Sequence, residues 1–175
     1  GRGSVEDPMI PREHLATAQI PGGGELRLYK RGDEFTIALG PNELMSSRMA
    51  GSEEALALMT IERLKTPAPH LLIGGYGMGF TLRAALARLG ANARVSVAEL
   101  VPEIIEWARG PMAALTAGCL DDPRVQIIIG DVADAISTGG YDAILLDVDN
   151  GPDGLSRAAN DRLYNAKGLA AELGK

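Results

Sequence analysis

Residues 70–86 read His-Leu-Leu-Ile-Gly-Gly-Tyr-Gly-Met-Gly-Phe-Thr-Leu-Arg-Ala-Ala-Leu. A short apolar run dissolves into glycine, and a helical pattern starts at once on the far side. Glycine inside an element costs about 0.5–1 kcal/mol relative to alanine. Gly74, Gly75, Gly77 and Gly79 fall within one hexapeptide, so this backbone needs either unusual dihedrals or a very close neighbour. A glycine-rich turn from a strand into its helix is the place where open α/β sheets take up nucleotides, with bare main chain and the free N–H groups of the helix start facing the ligand.

The rest of the chain fits that frame. "ARVSVAEL", "RVQIIIGD" and "YDAILLDVD" read as further strands. "TLRAALARLG", "PEIIEWARGPMAAL" (with Pro102 at a good first-turn position and Pro111 kinking or dividing it) and "VADAIST" read as the helices between them. The near-continuous apolar centres, Ile127 to Ile129 and Ile144 to Leu146, predict strands covered on both faces of a parallel sheet. Upstream, "ELRLYKRGDEFTIALG" predicts a β-hairpin turning at residues 31–34, with "PNELMSSR" as a further short strand. "GSEEALALMTIERLK" predicts a helix capped by Ser52, with Leu56, Met59, Ile61 and Leu64 as its apolar surface. The expected organisation is a cloning scar at 1–8, a β-hairpin region at 9–50 and a nucleoside-binding α/β domain at 51–175. A final helix is expected over "DRLYNAKGLAAELGK". Four strands would leave an apolar edge, so C-terminal strands are expected to be missing from this sequence.

Composition narrows the function classes. The formal net charge of −6 argues against a nucleic-acid binder. The single cysteine, Cys119, permits no intrachain disulfide and reads as a small buried hydrophobe in a reduced, cytoplasmic setting. Two isolated histidines, His14 and His70, predict no metal site, and His70 at a strand start reads as structural. No apolar run reaches the roughly 18 residues of a membrane span.

Three acids sharpen the site. Glu99 ends the second strand of the alternation, Asp131 follows Gly130 at the end of the third, and Asp147 lies near the end of the fourth. Each alone reads as a cap or a surface charge. Together they share the rim of the glycine turn. A carboxylate at Glu99 suits two ribose hydroxyls, and one at Asp131 suits an adenine amine; charged hydrogen bonds of this kind contribute roughly 1.5–3 kcal/mol. Leu100 and Val132, next to these acids, join the cofactor-binding set. The dinucleotide spacing fails, because Phe80 or Leu82 stands where its third glycine belongs. No basic residue is placed for a pyrophosphate. A phosphate-free nucleoside fits better, and S-adenosylmethionine is the common one. Trp107 reads as core packing or a dimer contact rather than a stacking surface, and Arg83 reads either as solvated or as inviting an ion pair with a neighbouring acid.

"LLIGGYGMGFTLRAAL", "VSVAELVPEIIEWAR", "DPRVQIIIGDVADAI" and "YDAILLDVDNGP", in this order, resemble the spermidine synthase (polyamine aminopropyltransferase) family. The more specific pieces are the Glu-x-x-Pro-Glu run from Glu99 to Glu103 and the Asp-Pro-Arg-Val run from Asp122 to Val125. The resemblance implies a Rossmann-like methyltransferase fold with an N-terminal β-extension, and a homodimer. It implies an aminopropyl transfer from decarboxylated S-adenosylmethionine to a small-molecule amine. Gly75, Gly77 and Gly79 would line the nucleoside, and Asp147 would be the catalytic acid that contacts the attacking amine. Glu54, Asp149, Asn150 and Tyr164 are the matching candidates for the substrate site. Here the family's second loop acid is Asn150, its upstream Tyr-His-Glu is Ser52-Glu53-Glu54, and its glycine-loop acid is absent. A methyltransferase with another acceptor and a non-catalytic nucleoside-binding homologue therefore stay open as alternatives.

Overall fold

The computed structural model describes residues 10–146. Four strands, β1 (Glu13–Gln19), β2 (Glu25–Arg31), β3 (Glu34–Leu39) and β4 (Asn42–Ser46), form an antiparallel sheet in chain order. The turn between β2 and β3 is the two-residue Gly32-Asp33 loop, with Gly32 at φ 60°. Register runs Leu26↔Leu39, Leu28↔Ile37 and Arg31↔Glu34. The expected hairpin is thus the centre of a larger meander. Its first strand escaped the sequence reading because "EHLATAQ" carries little alternation: only Ala18 is buried.

A short 3-10 turn at Ser47–Met49 leads into α1 (Ala50–Glu62). The Ser46 hydroxyl accepts the Arg48 N–H at 3.2 Å and caps this turn. The helix therefore begins before Ser52, which lies inside it rather than at its cap. The expected apolar face also divides. Ile61 and Leu64 pack on the core, whereas Leu56 and Met59 are 43% and 54% exposed.

The alternation then unfolds as expected: β5 (His70–Gly74), α2 (Phe80–Arg88), β6 (Arg94–Glu99), α3 (Pro102–Arg109), β7 (Val125–Ile129), α4 (Val132–Ser137) and β8 (Ala143–Leu146). These four strands are parallel, in the order β7-β6-β5-β8. This is an α/β fold with a Rossmann-like parallel sheet flanked by helices. Alternate residues of the central strands feed two cores. Leu71, Ile73, Val95 and Val97 join Leu82, Ile104 and Trp107 from α2 and α3. Leu72 and Ala98 join Val132, Ala135 and Ile136 of α4 on the other face. The larger core also takes in Leu26, Leu28, Phe35, Ile37 and Leu44 of the antiparallel sheet. The triple isoleucine of β7 is covered in part on both faces: Ile127 packs on the larger core and Ile128 on the smaller, whereas Ile129 at the strand end is 52% exposed.

Opposite the strand tips, the Asp-Pro-Arg-Val run stitches the sheet to α2. Arg124 donates from Nε and Nη2 to Asp122 at 2.9 and 2.8 Å, and from Nη1 to the carbonyls of Leu89 and Gly90 at 2.7 and 3.4 Å. The guanidinium thus satisfies carbonyls left over at the helix end. It also holds the Asp122 carboxyl down to about 2.

Candidate functional site

The strand order reverses between β5 and β8, so the carboxyl end of β5 sits at the topological switch point of the sheet. There the chain turns from Gly74 through residues 75–79 into α2. Gly75, Gly77 and Gly79 have φ of 91°, 60° and 87°, a region costly to side chains with a Cβ. The Gly75 N–H prolongs the ladder to the Ala98 carbonyl at 2.7 Å. A turn closes from the Gly79 N–H to the Tyr76 carbonyl at 2.9 Å, and the Arg83 N–H returns to the Gly79 carbonyl at 2.9 Å.

Two of the glycines make room for the chain itself. A Cβ on Gly79 would strike the Tyr76 hydroxyl, and would lie 2.6 Å from Tyr76 Cζ and 2.7 Å from Thr116 Cγ2. A Cβ on Gly74 would lie 2.7 Å from Val132 Cγ2 and 2.9 Å from Leu146 Cδ2. Val132 is buried in the smaller core, and Leu100 is half-buried against the larger one. Tyr76 is 2% exposed and hydrogen-bonds through its hydroxyl to Thr116 Oγ1 at 3.1 Å. No spacing rule links positions 76 and 116; only the tertiary fold brings them together.

Glu99 ends β6 beside this loop and is 5% exposed. Its Oε1 accepts the Tyr76 N–H at 2.8 Å and its Oε2 accepts the Val101 N–H at 3.0 Å. Burial raises its pKa, opposed by the N–H groups of Val101, Tyr76, Leu100 and Gly77. The carboxylate therefore organises the glycine loop. The Glu99 carbonyl accepts the Gly130 N–H at 2.9 Å, tying the β6 tip to the β7 tip. Asp131 follows and caps α4, its Oδ1 accepting the Ala133 N–H at 3.0 Å. The fold thus brings the glycine loop, Glu99 and Asp131 to one rim.

Glu54, on α1, pairs through Oε1 with Arg83 Nη2 at 3.3 Å, the ion pair that Arg83 invited. Asp147, Asp149, Asn150 and Tyr164 lie outside the described residues. His70 accepts or donates at Ser96 Oγ over 2.9 Å, and burial with the nearby Arg94 pushes its pKa down, so it serves the strand as a neutral ring. Burial pushes the Cys119 thiol up, away from the thiolate a nucleophile needs. Trp107 is a core residue at 5% exposure. Among the described residues no group of three or more His, Cys, Asp or Glu side chains is arranged to hold a metal ion, and no helix is long and apolar enough to cross a membrane.

No family model matches the chain. Individual proteins do. A polyamine aminopropyltransferase of Mycobacterium tuberculosis (strain CDC 1551 / Oshkosh) is 30% identical over 81% of the chain. One from Pyrobaculum calidifontis is 34% identical over 47% of it. Over most of its length the chain is similar to polyamine aminopropyltransferases. The crystal structure of spermidine synthase from Thermotoga maritima superposes on 77% of the chain with a TM-score of 0.64 at 24% identity, a likeness of fold. A spermidine synthase in complex with the transition-state analogue AdoDATO matches with a TM-score of 0.62 at 22% identity. The chain spans 26% of the mycobacterial relative and 47% of the Thermotoga chain, a fraction of each.

Proposed function

We propose that this chain carries the nucleoside-binding half of an aminopropyltransferase, one that uses decarboxylated S-adenosylmethionine and a small-molecule amine. The observation that carries the reading is the meeting of a positive-φ glycine loop with the Glu99 and Asp131 carboxylates at adjacent parallel strand tips, in a relative of polyamine aminopropyltransferases. The donor set suits adenosine. Glu99 takes the ribose hydroxyls, and Asp131 takes the adenine amine. Leu100 and the loop main chain at Gly75, Gly77 and Gly79 flank the ring system, with Val132 supporting it from the core. The absence of a basic residue in the loop suits a ligand without phosphates.

The reaction follows from charge. The sulfonium is already a good leaving group. The amine nitrogen attacks the aminopropyl carbon; the N–C bond forms as the C–S bond breaks, and its electron pair returns to sulfur as a neutral thioether. An alkylamine with a pKa near that of lysine, ~10, is protonated at neutral pH and has no lone pair to give. A carboxylate must therefore help to take the proton, the role proposed for Asp147, with Glu54, Asp149, Asn150 and Tyr164 proposed around the amine. A homodimer in a cytoplasmic setting, without metal or nucleic acid, completes the reading.

Calorimetry with decarboxylated S-adenosylmethionine, S-adenosylmethionine and NAD tests it. The decarboxylated nucleoside is expected to bind, and putrescine to be consumed in its presence. Glu99→Ala is expected to weaken binding about tenfold or more, the loss of a charged hydrogen bond. In the unaltered protein, binding is expected to fade on acidification earlier than an ordinary glutamate would dictate, because the buried Glu99 takes its proton at higher pH. Preference for the intact methionine carboxylate with methyl transfer would favour the methyltransferase alternative; binding of NAD alone would end the nucleoside-transferase reading.

A further inference from the structure

Tyr76 is joined to three separate parts of the molecule. Its N–H goes to Glu99 at the β6 tip, and its carbonyl to the Gly79 N–H at the entry of α2. Its hydroxyl goes to Thr116 in the segment that follows α3, and its ring lies directly under the bare Cα of Gly79. The Thr116 segment is itself held from the other side: Arg83 Nη1 donates to the Leu115 carbonyl at 2.8 Å. Immediately afterwards the chain doubles back through Ala117 and Gly118, at φ 43° and 87°. Among the described non-glycine residues, Ala117 is the one with positive φ. Such a conformation is unfavourable for an alanine, so the segment is kept in place against a local preference. The glycine loop thus rests on a ring and a hydroxyl, which in turn rest on a buttress built from a remote part of the chain.

We propose that Tyr76 is a positioning residue for the nucleoside: seated on Thr116, it sets the height at which the main chain of residues 75–79 meets the ligand. The proposal rests on the nucleoside reading above. Preorganised backbone contacts lose their worth when the backbone can sink by a fraction of an ångström, and the ring under Gly79 is what prevents it. The hydroxyl matters as well as the ring, because without its bond to Thr116 the ring can slide along the underside of the turn.

The test uses 5′-methylthioadenosine and S-adenosylmethionine as calorimetric probes on the full chain, with a thermal melt of each variant. Tyr76→Phe keeps the ring and deletes the hydroxyl. Thr116→Val keeps the shape and deletes the partner. Each is expected to weaken both probes by about three- to tenfold, the worth of one neutral hydrogen bond. The double variant is expected to be no weaker than either single one, since both remove the same bond. Thr116→Ser restores the hydroxyl and is expected to restore the affinity, a rescue that a merely structural role has no reason to show. Unchanged affinity in Tyr76→Phe and Thr116→Val, with only the melting temperature lowered, would overturn the positioning role and leave the nucleoside site standing. An unaltered protein that binds neither probe would overturn the nucleoside reading and this proposal together.

Discussion

A single missing methyl group decides much of the loop. Gly79 needs both its positive φ and its lack of a Cβ, because Tyr76 and Thr116 occupy the space a side chain would take. Gly79→Ala is therefore expected to cost more than the ~1–2 kcal/mol of a left-handed alanine alone, since the neighbours are a ring and a β-branched side chain in a close-packed setting. Urea unfolding measures this. Gly22→Ala, on an open turn at φ 95° with nothing within 4 Å, is the control that carries the backbone cost without the collision. Equal losses for the two variants would show that Tyr76 yields freely. Glu99 teaches a related lesson. An acid at a strand tip invites a ligand-binding role, yet here its carboxylate also knits the loop through the Tyr76 and Val101 N–H groups.

Elements are held together at both ends of the parallel sheet. At the tips the Glu99 side chain and carbonyl join the glycine loop, β6 and β7. At the opposite end Arg124 clamps Asp122 and the carbonyl of Leu89, just past the end of α2. The sign of the acid response follows from Asp122, whose pKa falls from 3.8 to about 2 in the folded chain. The unfolded chain takes up the proton first, so this contribution is intact above about pH 4 and is lost as pH falls towards 2. Arg124→Ala is expected to destabilise the fold by about 1.5–3 kcal/mol at neutral pH, the usual worth of a charged hydrogen-bond cluster. It should also flatten the stability profile between pH 4 and 2. Denaturation midpoints across that range are the measurement, and a profile as steep as that of the unaltered chain would rule out the clamp.

At the scale of the whole molecule, the antiparallel and parallel sheets share one apolar core. Ile37 in β3 is fully buried in the same cluster as Leu71, Val95 and Leu82. Cutting it back to alanine is expected to cost about 2–5 kcal/mol. The two sheets are expected to melt together, because the lost contacts belong to both. Far-ultraviolet circular dichroism and the fluorescence of Trp107, which sits in that core, would report one coincident transition. Two separated transitions would show that the sheets hold themselves independently.

The local patterns of this chain determined most of its elements. Alternation marked β2 and β3, glycine and proline marked the ends of the α/β units, and continuous apolar runs marked the central strands. They determined the rim as well, because the ends of parallel strands must share a side. The weakly patterned β1, the early start of α1 and the exposure of β7 were decided by tertiary structure, since each depends on which neighbours are present rather than on its own residues. The support beneath the glycine loop is of the same kind. Tyr76 and Thr116 stand 40 positions apart, and a hydrogen bond between them exists only once α3 has folded back across the sheet.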